Sequence, residues 1–381
     1  MASYEQLTKD NWKVTVSLGF DSSGKRIREK KQGFKRKKDA EKWVTDILGK
    51  KHKGFVAPTE SSILLKDYVN KWFTEYKINT LSTNTIANYN SRIDMHIIPK
   101  LGDYKVNKIT NEVVQDFYNS LINEGAKPSS AKKVLETLGN CLRYAQKNKL
   151  IYTIPVDINR VPIEKTKVEF WNKNELDFFL NEIKDDYLYT PLIIAVLTGL
   201  RLGELCGLRW CDIDLDNRYL NVTHQVINDK RNKSLLFTDK LKTLTSYRKI
   251  TIPYVLINYL KTLKGNALDT DLVVLNRDGI MCNPRNLSMN FTKTIFKYRL
   301  PLEEYKHSKL RNKKDNYMQL NQISFHGLRH THATLLIFKG ENIKVVSERL
   351  GHKSITETLD TYTHIMDDIK NNIADLLDDM L

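Results

Sequence analysis

The 381-residue sequence has no run of about 18 consecutive apolar residues, the length a membrane-spanning helix needs, so no membrane partner is expected. Its first residues, MASYEQLTKDNW, hold no apolar core of the kind a secretory signal carries. Cysteine is scarce. Of Cys141, Cys206, Cys211 and Cys282, only Cys206 and Cys211 lie close together, and no second pair completes a zinc site. Reduced, mostly buried thiols in a cytoplasmic protein are the expectation. No internal repeat is visible, and no acidic stretch has the make-up of a magnesium site. Acidic residues are in deficit: 45 Asp and Glu against 61 Lys and Arg leave a net charge of +16. An excess that large points to a polyanionic partner, nucleic acid before membrane surface. Apolar residues make up 41%, enough for real cores, and the length allows two or three domains.

Three segments follow one another. In residues 1–57, WKVTVSLGF (12–20) alternates as a half-buried strand does, DSSGK (21–25) signals a turn, and RIREKKQGF (26–34) reads as the return strand. DAEKWVTDIL (39–48) then places Ala40, Trp43, Val44, Ile47 and Leu48 on one helical face. Fifteen Lys and Arg against seven acidic residues concentrate charge here. Lys25, Arg26, Arg28, Lys30, Lys31, Lys35, Arg36 and Lys37 are the candidate DNA contacts, against the alternative of a merely solvated charged face. KHKGFVAPTESS (51–62) reads as a linker.

Residues 63–157 are helical in pattern. The helix of 82–102 is expected to close at Pro99, and that of 109–125 to open on a capping box at Thr110. From about 168 the pattern is mixed. Asn172 and Glu175 form a capping box, 190–200 is a wholly apolar helix, 218–225 and 234–253 look like strands with a hairpin, and helix dominates thereafter.

Within this last segment SFHGLRHTHATLL (324–336) crowds three histidines and an arginine at the start of an apolar helix. His326 and His330 have the i, i+4 spacing of a zinc pair, but Gly327, Leu328 and Arg329 lie between them, and a guanidinium repels a divalent cation. Arginine with imidazole suits a phosphate instead: a planar fork for two oxygens and a further N–H donor. Arg201, in TGLRLGEL (198–205), needs an anionic partner at the end of its apolar helix, and Glu204 is one within the same turn. His352 follows Gly351, and Tyr362 lies ten residues on in a polar stretch.

TGLRLGEL, KTLTSYRKITIP (242–253), HGLRH, LGH and TYTH occur in this order. The series resembles the tyrosine recombinases, specifically the integrases of temperate phages and conjugative transposons, over about residues 8–370. The resemblance implies a multidomain α+β fold. Residues 1–57 would be an arm-type DNA-binding domain, a small three-stranded sheet plus helix; 63–157 a helical SAM-like core-binding domain; and 168–381 a mainly helical catalytic domain with a small β-sheet and a C-terminal exchange helix. It places Arg201 and Arg329 on the two catalytic arginines, His326 and His352 on the two histidine positions, Tyr362 on the nucleophile and Glu204 on a supporting carboxylate. Lys242 falls on the hairpin lysine, with Lys240 as runner-up. His330 and His332 are left as structural or supporting.

The implied reaction is transesterification. The Tyr362 oxygen displaces a 5′-oxygen, leaves a 3′-phosphotyrosine, and strands exchange through a Holliday junction. The arginines and histidines neutralise the transition state, and Lys242 protonates the leaving oxygen. No cofactor and no metal are expected. The implied partners are double-stranded DNA with core-type and arm-type sites, three further copies joined through the tail (365–381), an excisionase and a host DNA-bending protein, at the nucleoid of a bacterial cell. A chromosome-dimer resolvase, a type IB topoisomerase and a catalytically silent DNA-binding regulator are the competing readings.

Overall fold

The structure, a computed structural model, describes residues 2–20, 26–52, 63–151, 153–164, 168–229, 232, 234–241, 243–296, 298 and 318–371. The chain divides into two compact units, Met1–Glu164 and Lys165–Leu381.

The first unit opens with three antiparallel strands in the order β1 (Ala2–Thr8), β2 (Asn11–Phe20), β3 (Arg26–Phe34). Val14 and Val16 of β2 are fully buried against Ala40 and Val44 of α1 (Lys37–His52), the helical face read from the sequence. The helix extends beyond the expected 39–48 at both ends.

Helices then form a bundle: α2 (Leu65–Lys71), α3 (Thr83–Arg92), α4 (Ile98–Leu101), α5 (Asn111–Asn123) and α6 (Pro128–Lys147). Pro99 does not end its helix as expected. Proline lacks the N–H that an α-helix needs in its interior. Here the winding widens over Ile93–Ile97, just ahead of the proline, and the chain continues helically through Leu101. Thr110 does cap α5, its hydroxyl accepting from the Val113 N–H at 3.3 Å, but Val113 cannot return a side-chain bond, so the cap is one-sided. Beyond residue 157 the chain stays on α5. The Gln115 amide exchanges bonds with the backbone of Asn159, at 2.8 and 3.0 Å, and Tyr118 accepts from Val161 N–H.

The second unit starts with α7 (Lys173–Glu182), whose Asn172–Glu175 capping box is present in both directions, at 3.0 and 2.8 Å. Then come α8 (Tyr189–Thr198) and α9 (Leu202–Cys206). A three-stranded sheet follows in the order β4 (Ile213–Asp214), β5 (Tyr219–Val222), β8 (Arg248–Thr251), with a separate hairpin of β6 (Gln225–Asp229) and β7 (Ser234–Thr238). The stretch 234–253 is thus two strands in two sheets, because β8 finds its partner in β5. The unit closes with α10 (Tyr254–Lys264), α11 (Pro284–Phe296), α12 (Phe325–Phe338), α13 (Ile343–Leu350) and α14 (Ile355–Asn371). Its core packs α8 against Trp171, Phe179, Phe291 and the β5–β8 side chains. No helix among the described residues is long and apolar enough to cross a membrane.

Candidate active site

The last turn of α8 ends in Gly199, whose left-handed φ of +70° reverses the chain toward Arg201. A side chain there would also collide with His332, whose Cδ2 stands 2.6 Å from the place of a Cβ. Arg201 donates to Glu204 Oε1 at 2.9 Å and to the Gly351 carbonyl at 2.8 Å, and its backbone N–H donates to Glu204 Oε2 at 2.9 Å. About a quarter of its side chain remains exposed, whereas Glu204 is buried. Arg248 of β8 is the second cation on that carboxylate, at 2.9 Å from Oε2, and it also donates to the Arg349 carbonyl at 2.7 Å. Burial alone would raise the Glu204 carboxyl. Arg248 and then Arg201 outweigh it and hold the group below its ordinary value.

Arg329 comes from the first turns of α12, where the Ser324 hydroxyl accepts from the Gly327 N–H at 3.2 Å. Its guanidinium is 3% exposed and donates to the Gly199 carbonyl at 2.8 Å and the Leu350 carbonyl at 2.5 Å. Burial, with Arg201 and Arg248 nearby, lowers it to about 9, so it stays charged at neutral pH. Gly351 ends α13 at φ +68°, where a Cβ would stand 2.9 Å from the Thr245 carbonyl. Two arginines thus converge on the ends of α8 and α13.

Around them stand the imidazoles. His326 is exposed, with its ring edge-on to His330 at 4.8 Å. His352 is half-buried, its Nδ1 2.7 Å from the Thr358 hydroxyl, and burial with Arg329 lowers it to about 4. Tyr362, on α14, is buried among Ala333, Ile337, Val346 and Leu350. Its hydroxyl lies 2.8 Å from His330 Nδ1. Burial raises that phenol above its ordinary value, with Arg329 pulling the other way.

Five of the residues singled out from sequence, Arg201, Glu204, Arg329, His352 and Tyr362, share this network, and His326 joins it through His330. Lys242 lies outside the described residues. Lys240 is exposed beyond the hairpin, and its carbonyl accepts from the Gln225 side chain. Three participants escaped the sequence reading. His330, read from the sequence as structural or supporting, stands one helical turn from His326 and touches the Tyr362 hydroxyl. Arg248 lies inside the quoted stretch 242–253 without a role of its own in the sequence reading, and Arg349 carried no signal. The described residues bring no group of three or more His, Cys, Asp or Glu together at ligating distance.

The basic patch of the first unit divides by face. Arg28 and Lys30 lie opposite Ser17 and Thr15, on the side of the sheet away from Val14 and Val16. Lys31 lies across from Val14 and rests over the Phe34 and Trp43 rings at 5.4 and 5.9 Å. Arg36 pairs with Asp39 at 3.2 Å, Lys37 sits over the Tyr4 ring, and Lys35 is exposed. Lys25 and the Arg26 side chain lie outside the described residues.

His332 carries a separate consequence. Its Nδ1 faces the Val196 carbonyl at 2.6 Å, which requires the hydrogen on that nitrogen, and its Nε2 accepts from Arg349 Nε at 3.0 Å. A second proton on Nε2 would confront that guanidinium, and burial together with Arg349 lowers the imidazole to about 3. The folded protein therefore refuses a proton that the unfolded chain takes near pH 6.5. Stability is full above that value and falls as pH drops toward 3, by up to about 1.4 kcal/mol per pH unit for this group. Denaturant midpoints measured between pH 7 and 4 should fall more steeply in the wild type than in His332→Gln; parallel slopes would show that His332 plays no part.

The geometry is matched by likeness to known proteins. The model of the phage integrase family matches residues 170–368, that of the phage integrase N-terminal SAM-like domain matches 64–122, and that of an arm DNA-binding domain matches 2–51. A tyrosine recombinase XerC-like protein of Caldanaerobacter subterraneus is 29% identical over 99% of this chain and 98% of its own. The ICEBs1 integrase of Bacillus subtilis is 27% identical over the full length of both. Among solved structures, the Tn1549 transposon integrase in complex with transposon right end DNA superposes with a TM-score of 0.66. It is 20% identical, over 78% of this chain and 94% of that one, a likeness of fold. Fold and family together define an enzyme of the tyrosine recombinase class. The chain belongs to the phage integrase family.

Proposed function

We propose that this recombinase integrates and excises a mobile element, with Tyr362 as the nucleophile that forms the 3′-phosphotyrosine. The observation that carries this reading is the convergence of Arg201 and Arg329 on the paired ends of α8 and α13, beside the Tyr362 hydroxyl. Fixed guanidinium donors of this kind suit the charge that gathers on the non-bridging oxygens of a pentavalent phosphate. His326 and His352 add donors to it. His352 is neutral at pH 7, and in the tautomer whose Nδ1 accepts from the Thr358 hydroxyl its Nε2–H is the donor offered to the phosphate. Lys242 supplies the proton to the leaving 5′-oxygen.

Residues 1–57 would grip arm-type DNA through Arg28, Lys30 and the neighbouring cations, and 63–157 would grip core-type DNA. The reading of a second DNA module rests on the sheet's exposed basic face and on the arm-domain match. The tail from residue 365 sets Ile365, Ile369, Ile373, Leu376 and Met380 at helical spacing against an acidic face, which suits a neighbouring protomer better than DNA and supports a tetramer. An excisionase and a host DNA-bending protein would set direction. The cytoplasm of a bacterial cell, where the DNA is, would be the site of action.

The test is covalent trapping. Nicked duplexes from the two ends of the encoding element, incubated with the protein, should give a DNA-linked species on denaturing gels that Tyr362→Phe abolishes while binding DNA as well as the wild type. An adduct that persists in Tyr362→Phe removes that tyrosine from the role.

A further inference from the structure

We propose that His330 is a further catalytic residue: its Nδ1 takes the Tyr362 hydroxyl proton as the phenolic oxygen attacks phosphorus, and returns it when the phosphotyrosine ester is broken. This rests on the reading of Tyr362 as nucleophile.

The geometry is direct. Tyr362 is 1% exposed, so its proton has no open path to bulk water, and its hydroxyl lies 2.8 Å from His330 Nδ1. That separation is within the range a general base needs. The ring reaches from α12 to α14 and is half-buried, and its edge meets the Tyr362 ring at 65° with centroids 5.7 Å apart. The titratable groups facing it are His326 and Arg329 on its own helix, His352 from the segment after α13, and Tyr362 itself. None of them is a carboxylate. Burial first, then His326, Arg329 and His352, lower the imidazole to about 4, so at neutral pH it is unprotonated and free to accept. His352 is turned to Thr358 instead.

In the cleavage step the Tyr362 O–H bond breaks and its proton passes to Nδ1. The phenolic oxygen bonds to phosphorus, and the bond from phosphorus to the 5′-oxygen breaks. That oxygen leaves with a proton from the acid on the other side of the phosphate. The negative phosphate raises the basicity of His330 at the moment it is used. In the joining step the 5′-hydroxyl gives its proton back to that same group across the phosphate as its oxygen bonds to phosphorus, the bond from phosphorus to the phenolic oxygen breaks, and the imidazolium returns its proton to that departing oxygen. No oxidant or further reactant is needed, and every proton is accounted for.

The experiment uses full-length protein and single-turnover cleavage of the same nicked duplexes. His330→Ala should bind DNA as the wild type does and cleave about 10²-fold more slowly at pH 7. Its rate should rise with pH toward the wild-type value, as hydroxide replaces the lost base, and imidazole in the buffer should restore part of it. His330→Asn, which can still accept the tyrosine hydrogen bond but cannot hold its proton, should be as slow as His330→Ala. Duplexes with sulfur in place of the bridging 5′-oxygen carry a leaving group that needs no acid. They should leave both His330 variants slow while relieving Lys242→Ala.

The proposal is overturned if His330→Asn cleaves like the wild type, if either variant is faster than the wild type, if the bridging sulfur relieves the defect, or if neither imidazole nor higher pH does. Tyr362→Phe run alongside separates the two ideas. An adduct surviving in that variant defeats the nucleophile reading, whereas a silent Tyr362→Phe beside fully active His330 variants defeats only the base.

Discussion

Arg329→Ala is expected to slow formation of the covalent intermediate by about 10²–10³-fold, the usual cost of removing a preorganised donor from a developing oxyanion. Arg329→Lys should recover little of it. The native guanidinium is a fork: one terminal nitrogen donates to the Gly199 carbonyl and the other to the Leu350 carbonyl. A single ammonium cannot span both carbonyls and still address a phosphate. The alanine variant leaves two carbonyls without their donor, at about 1–3 kcal/mol for each buried group left unsatisfied, so a fall in the denaturant midpoint is expected as well. Single-turnover cleavage at saturating protein, measured below the unfolding transition, separates the effects. A folded Arg329→Ala that cleaves at the wild-type rate would take this arginine out of the proposed reaction.

Glu204→Ala should be the most destabilising of the simple substitutions in this network. The carboxylate is 3% exposed and holds two arginines on separate oxygens, with the Arg201 backbone N–H as a third donor. Removing one partner of a buried ion pair costs about 3–5 kcal/mol, because the charges left behind are uncompensated. Glu204→Gln keeps the shape and one acceptor, so its loss should be smaller. The carboxyl is held below its ordinary value, so the stability it contributes is present above the unfolded carboxylate range and lost as pH falls through the folded one. The stability of Glu204→Gln should therefore depend less on pH in that acid window. Urea unfolding of the three proteins at pH 7 and near pH 4 checks both statements. Equal stability of Glu204→Ala and wild type would mean that Arg201 and Arg248 do not depend on the carboxylate.

Much of this was legible beforehand because the signals were local. The alternation of 12–20, the Asn172–Glu175 box and the apolar face of α1 each need only a few neighbouring residues to express themselves, and each is present in the structure. The ordered motifs located Arg201, Arg329, His352 and Tyr362. What could not be read depends on partners distant in sequence. Pro99 would end a helix in isolation, but a widened turn one step earlier absorbs it. The run 234–253 gives no hint that β8 will leave β7 for β5, where Arg248 pairs with Val222 and Thr251 with Tyr219. His330 looks like one histidine among three until α14 brings Tyr362 to it. The groups that hold Arg201, Arg329 and Arg248 are mostly main-chain carbonyls, and a carbonyl is the same in every residue.

Those carbonyls are the orphan acceptors that every helix leaves at its C-terminal end. In α8, Val196, Leu197 and Gly199 accept from His332, Arg349 and Arg329; at α13, Arg349, Leu350 and Gly351 accept from Arg248, Arg329 and Arg201. Each helix end carries roughly half a negative elementary charge. Two such ends, with Glu204, offset the positive charge of Arg201, Arg248, Arg329 and Arg349, which is why four guanidinium groups can crowd together without driving the site apart. On the proposed function, an incoming phosphate would meet a receptor whose charges are already gathered, with little rearrangement required of the protein at the moment of reaction. The same arrangement makes the cluster vulnerable from within: fraying the last turn of either helix would scatter the cations at once, so on the proposed function the activity would be tied to the local stability of two short stretches of backbone.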